Sequence, residues 1–171
     1  DPGDEGERIV TMVKRAGVQL EAVWLTHAHL DHIGGVSAVR RAYEAPVLLH
    51  PDDLVIYRRG SQAAAAYGVP FEQPADPDGT LTDGQVLEVG RSRFHVHHTP
   101  GHAPGHVIFL GDGVMLGGDL LFAGSIGRVD LPLSNPAAME NSLAHVAAFD
   151  PDTVVYPGHG PNTTIGEERA T

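Results

Sequence analysis

Apolar residues recur along this chain with helical spacing in some stretches and as short continuous runs in others, and glycine, proline or aspartate marks most of the changes. Ile9, Val10, Met12, Val13 and Ala16 make one stripe, which predicts a helix from Asp4 to Ala16 with Asp4 as its cap, Glu7 at the capping-box position and Gly17 as its end. Ala22 to Leu25 reads as a short buried strand that runs directly into T-H-A-H-L-D-H, Thr26 to His32. A second helix is expected from Ile33 to Tyr43, a strand over Val47 to Leu49, and a helix from Pro51 to Arg58. Gly60 to Gly79 reads as a partly helical excursion. Two hairpins follow: Val86 to Val89 with Phe94 to His98, then Val107 to Leu110 with Val114 to Leu116 across Gly111-Asp112-Gly113. Pro136 to Phe149 is an amphipathic helix, and Thr153 to Tyr156 a last strand ending in P-G-H-G.

At 171 residues, with 42% hydrophobic and 19% charged residues, the chain suits a single α/β domain spanning 1–171. A net charge of −11, with only 11 Lys and Arg scattered along the sequence, argues against a nucleic-acid partner. No apolar run is long enough to cross a bilayer, so no membrane partner is expected. With no cysteine there is neither a disulfide nor a thiolate metal site, so any metal must be held by His, Asp or Glu. Histidine is unusually frequent, at 11.

Position matters more than number. T-H-A-H-L-D-H, T-P-G-H-A-P-G-H, G-G-D and P-G-H-G each follow a predicted strand, which singles out His27, His29, Asp31, His32, His102, Asp119 and His159. Five imidazoles and two carboxylates suit zinc, iron or manganese and suit calcium or magnesium poorly. Seven ligands exceed what one tetrahedral ion needs, so two divalent ions are expected, most simply zinc, with Asp119 as the bridge through its two oxygens. A histidine-rich loop at a helix N-terminus is the plain alternative for the first motif, and three further strand-end ligands weigh against it.

These motifs resemble the metallo-β-lactamase superfamily, and within it the short glyoxalase II-like hydrolases. The likeness covers nearly the whole chain: D-P-G-D at Asp1, the H-x-H-x-D-H loop, L-H-P-D-D at Leu49 to Asp53, T-P-G-H-A-P-G-H, G-D-L-L-F, G-S-I-G-R-V-D-L-P, and the closing P-G-H-G-P-N-T-T-I-G-E-E-R. The resemblance implies a four-layer αββα sandwich. It places one ion on His27, His29 and His102 and another on Asp31, His32 and His159, with Asp119 on both. Family members have strands before the D-P-G segment, so roughly 25 further residues are expected upstream of Asp1. The family, with the lack of cysteine, points to the cytoplasm. The implied reaction is hydrolysis of an acyl-thioester such as hydroxyacyl-glutathione by a metal-bridging hydroxide, with Asp31 orienting the nucleophile and moving its proton. A mono-iron persulfide dioxygenase is the main alternative, followed by a lactonase or a non-catalytic metal-binding fragment.

The resemblance also implies that Asp1 and Thr26 bond to the ligands rather than to metal, with a strand-end cap and a turn former as the plain alternative. Arg128 pairs with Asp130 on the preferred reading and faces a substrate carboxylate on the other. His50, His98 and His106 read as structural, His95 and His97 as surface residues without a named partner, and His145 as solvent-facing. Gly34-Gly35 and Gly117-Gly118 lack phosphate-loop spacing and are attributed to close packing.

Overall fold

A computed structural model describes residues 1–169 and resolves two compact units, Asp1–Thr80 and a second beginning at Leu81. The first unit contains helix α1 (Gly6–Ala16), strand β1 (Val23–Trp24), helices α2 (Leu30–Ile33) and α3 (Val36–Ala42), and strand β2 (Val47–Leu49). A 3-10 turn (Pro51–Asp53), helices α4 (Leu54–Arg58) and α5 (Gly60–Tyr67), and strand β3 (Gly79–Thr80) complete it. The three strands lie parallel in the order β1-β2-β3, with Val23 opposite Val47 and Leu48 opposite Gly79. Parallel neighbours need a crossover, and α2 with α3 supplies the first one. Val10, Leu25, Ile33, Val36, Val39, Val47 and Tyr57 form this unit's core.

The second unit contains β4 (Val86–Val89), β5 (Ser92–His98), β6 (Val107–Gly111), β7 (Val114–Gly118), the small hairpin β8 (Leu121–Phe122) and β9 (Ser125–Ile126), α6 (Pro136–Val146), β10 (Val154–Pro157), β11 (Thr163–Thr164) and α7 (Ile165–Glu168). Its main sheet has the order β11-β10-β7-β6-β5-β4. The β6–β7 turn places Asp112 (φ 53°) and Gly113 (φ 75°) in the left-handed region, as a two-residue hairpin with type I′ geometry requires. Strands β7 and β10 are parallel, joined through α6, which packs Met139 and Val146 on Ile108, Met115 and Val155. Among the described residues no helix is long and apolar enough to cross a membrane.

Several boundaries differ from the pattern-based expectation, each for a tertiary reason. Helix α1 begins at Gly6 behind Glu5, with no side-chain cap from either Glu5 or Asp4, and Met12 is exposed rather than inward. A Cβ on Gly6 would stand 2.7 Å from the Ala38 Cβ, so the close approach of α1 to α3 sets where the helix starts. The expected helix from Ile33 is two helices broken at Gly34-Gly35, and the one from Pro51 opens as a 3-10 turn. Gly35 lies against backbone, where a Cβ would meet the Pro2 carbonyl oxygen at 2.7 Å and the Gly6 Cα at 2.9 Å. His97 does have partners: its Nδ1 lies 3.3 Å from Nε2 of His145, and its ring centroid 4.9 Å from that of Phe149. His145, exposed as expected, reaches His97 from the last turn of α6.

Two measurable consequences follow from this packing. Gly35→Ala should destabilise the protein by about 1–3 kcal/mol through overpacking, seen as a lower urea midpoint; an unchanged midpoint would show that α1 can retreat without cost. Burial, and then the adjacent His145, hold the His97 imidazole below its ordinary pKa, with His95 adding to the effect and Asp83 opposing it. Protonation is then easier in the unfolded chain, so stability present above pH ~6.5 is lost as pH falls below that value. Melting at stepped pH should show a shallower acid decline for His97→Gln than for the parent, and identical slopes would remove His97 from the account.

Candidate metal centre

Each candidate ligand sits where a strand gives out. His27, His29, Asp31 and His32 follow β1, His102 follows β5, Asp119 follows β7, and His159 follows β10. Within the first unit the loop after β1 gathers its imidazoles closely: the His27 ring centroid is 4.8 Å from that of His29 and 4.0 Å from that of His32. His29 keeps extended backbone (ψ 157°) and hands over to α2, which carries Asp31 and His32. Asp31 is exposed, and its Oδ2 lies 3.9 Å from Nε2 of His32.

Asp1 ties this loop together. Its Oδ1 accepts the Thr26 N–H at 2.7 Å, and its Oδ2 accepts the Thr26 hydroxyl at 2.7 Å and the His32 Nδ1–H at 2.8 Å. The Thr26 hydroxyl has thus committed its proton to Asp1, so at 3.1 Å from Nδ1 of His27 it accepts. In the neutral ring each of these histidines therefore carries its proton on Nδ1 and its lone pair on Nε2. A metal-binding imidazole requires this arrangement, with one nitrogen donating to an oxygen and the other offered to the ion.

The same logic holds in the second unit. His102 Nδ1 lies 2.8 Å from the Arg128 carbonyl, which can only accept, so in the neutral ring Nε2 again carries the lone pair. That lone pair stands 3.4 Å from Oδ2 of Asp119, and Nε2 of His159 stands 3.6 Å from the same oxygen. For His102, an acceptor turned toward a carboxylate at this distance suits a shared cation better than a direct hydrogen bond. By their donor chemistry the seven residues thus fit imidazole- and carboxylate-binding ions such as zinc, iron or manganese.

Arg128 closes both arms of its fork on Asp130, at 2.9 Å each, and this bond holds the Asp130 carboxyl below the usual carboxylate range. The pair anchors the loop that offers the Arg128 carbonyl to His102. His50 accepts the Asp52 N–H, His98 donates to the Pro104 carbonyl at 2.9 Å, and His106 is wholly buried and bonded at both ring nitrogens. Gly117 packs on Val155 and Gly118 has φ 48°, consistent with packing and turn roles for that glycine pair. Motif reading did not assign Asp53 a role. Its fully buried carboxylate accepts the Ala28 N–H at 2.8 Å, between His27 and His29, and the signal was the L-H-P-D-D segment that contains it.

An α/β fold that offers imidazoles and carboxylates at its strand ends, with the rings of His27, His32 and His102 held through Nδ1, is the arrangement of a metallo-hydrolase superfamily. The chain belongs to the metallo-β-lactamase superfamily, whose profile matches residues 1–159, and it has that superfamily's α/β fold. It is similar to the hydroxyacylglutathione hydrolase GloC of Haemophilus influenzae, with 30% identity over 99% of this chain and 82% of that protein. Among solved structures, TTHA1623 in a di-iron-bound form shares 43% identity with a TM-score of 0.93, over 99% of this chain and 84% of that one. BLEG-1, a B3 metallo-β-lactamase, shares 37% identity with a TM-score of 0.93, over 100% of this chain and 84% of that one.

The Asp1–Thr26–His27 relay makes a direct prediction. Thr26→Val removes the acceptor for the His27 Nδ1–H while keeping the side-chain shape, and should weaken zinc affinity by about 10–100-fold. Thr26→Ser should restore it. Competition against a chromophoric chelator measures both, and equal affinity in Val and Ser variants would discard the relay.

Proposed function

We propose that this protein hydrolyses acyl-thioesters, hydroxyacyl-glutathione or a close analogue, with two divalent metal ions held by His27, His29, Asp31, His32, His102, Asp119 and His159. Zinc is the first choice, with iron or manganese as substitutes. On this reading His27, His29 and His102 serve one ion, Asp31, His32 and His159 the other, and Asp119 both. The observation that carries it is His32. Asp1 fixes the proton on its Nδ1 and leaves Nε2 as a ligand atom, an investment that a single-iron enzyme served by other residues would not need. The likeness to a hydroxyacylglutathione hydrolase supports the choice of substrate.

When bound, such ions lower the pKa of water to about 7 and draw off negative charge at a carbonyl oxygen. The chain's own groups do the rest. Asp31, exposed beside His32, orients the attacking water and takes its proton. Asp1, Thr26 and the Arg128 carbonyl keep the imidazoles from rotating as charge develops. A thiolate leaves readily without a strong general acid, which suits a site whose polar side chains are committed to metal. The partner is then a small thioester in the cytoplasm, and the acidic chain recruits neither nucleic acid nor membrane.

β-Lactam hydrolysis is a second reading, favoured by the likeness to BLEG-1. The bridging carboxylate assigned to Asp119 belongs with the thioesterase. One experiment separates these readings and the dioxygenase. Protein loaded with zinc or with iron is given lactoyl-glutathione, glutathione persulfide and a chromogenic cephalosporin in parallel. Thiol release from the thioester with either metal, without oxygen uptake, is the expected result. Oxygen consumption confined to iron and persulfide, or cephalosporin turnover with the thioester left intact, would overturn it. Asp31→Asn should lower kcat by about 10²–10⁴-fold, and Asp119→Ala should lower both metal content and turnover.

A further inference from the structure

The strand-end turn that carries Asp119 is confined at both sides of its peptide backbone. On one side the Asp119 N–H donates to Nε2 of His106 at 3.0 Å. Nε2 must then lack a proton, so the neutral ring carries its hydrogen on Nδ1 and directs it to the Thr99 hydroxyl oxygen at 3.0 Å. His106 and Thr99 are both fully buried, and the Thr99 N–H also donates to the His106 carbonyl at 2.8 Å. On the other side Gly127 presses on the Asp119 carbonyl: a Cβ there would fall 1.9 Å from that oxygen and 3.2 Å from Nδ1 of His102. The backbone of Asp119 is thus held by an imidazole at its N–H and by a bare glycine at its C=O. Its carboxylate stands where both constraints put it, 3.4 Å and 3.6 Å from the ring nitrogens of His102 and His159.

We propose that His106 is a positioning residue for Asp119: a neutral imidazole, locked by Thr99 in its Nδ1–H tautomer, that sets the Asp119 carboxylate in place for the metal ions. The inference rests on the proposed role of Asp119 as a ligand. An apolar residue at 106 could fill the volume, but it would leave the Asp119 N–H buried without this acceptor and free the turn to drift. Asp119 serves both ions on the proposed reading, so a drift of its backbone loosens two coordination spheres at once. Thr99 has a defined part as well. Without its hydroxyl the ring can place its proton on Nε2, and a donor then faces the Asp119 N–H.

The test uses the full chain and zinc or cobalt as probes. His106→Gln keeps an acceptor near the position of Nε2, and His106→Leu removes it; Thr99→Val and Thr99→Ser address the tautomer while keeping the imidazole. The expected result is a loss of zinc affinity of about 10–100-fold in His106→Leu, a smaller loss in Thr99→Val, and substantial recovery in His106→Gln and Thr99→Ser. The visible spectrum of the cobalt form should change in His106→Leu, since ligand geometry and not only occupancy is altered. Imidazole ¹⁵N shifts of the zinc protein should report Nδ1–H at His106, a signature that volume filling alone would not produce. If His106→Leu does not fold, Thr99→Val carries the test by itself. Wild-type zinc affinity and an unchanged cobalt spectrum in the folded variants would overturn the proposal, as would an Nε2–H tautomer at His106. The two readings fail separately. If the wild type binds two zinc ions and Asp119→Ala loses them while the His106 and Thr99 variants bind normally, only this inference falls; if Asp119→Ala binds as the wild type does, the ligand assignment beneath it falls.

Discussion

The carboxylate of Asp1 takes hydrogens from the Thr26 amide, the Thr26 hydroxyl and the His32 ring, and the orientation of the loop after β1 depends on it. Hydrogen bonds to a charged acceptor contribute about 1.5–3 kcal/mol each, enough to decide between ring tautomers that differ little on their own. One carboxylate settles the proton position of His32 directly and that of His27 through Thr26. The side chain is only 16% exposed, so solvent competes weakly for these bonds.

In the second unit a backbone carbonyl does for His102 what Asp1 does for His32. Loop backbone is a dependable orienting group only if the loop cannot shift, and the paired Arg128 and Asp130 fork restrains it. The pair is exposed at both ends, so its contribution to global stability is small. Its value is local, in holding a carbonyl at 2.8 Å from an imidazole. The candidate ligands are thus delivered by short strands and aimed by buried or restrained acceptors.

The fold supports this arrangement economically. The three-stranded parallel sheet needs only two or three residues per strand, because α1, α3 and α4 cover it with Val10, Val39 and Tyr57. Such brief strands end within a residue or two of their pairing, and the next residues are free to leave the sheet as ligand loops. The six-stranded sheet does the same with β7 and β10, whose parallel pairing brings Asp119 and His159 off neighbouring strand ends.

The candidate ligands were legible in the sequence because their spacing is local: H-x-H-x-D-H is a property of six consecutive residues, and the Asp112-Gly113 turn is a property of two. The superfamily followed from those motifs, and the matching profile agrees. Tertiary structure alone decided the rest. The start of α1 is set by Ala38 and Gly35 rather than by a cap, the His97 imidazole is depressed by burial and then by His145, 48 residues away, and Asp53 reaches Ala28 across 25 residues. The tautomers of His27, His32 and His102 belong to the same group, since each depends on an acceptor on a segment that the chain must fold back to reach: Asp1 directly for His32 and through the Thr26 hydroxyl for His27, and Arg128 for His102. Local spacing fixes which side chains are offered; which nitrogen each ring offers depends on a hydrogen bond made only after distant backbone has come together.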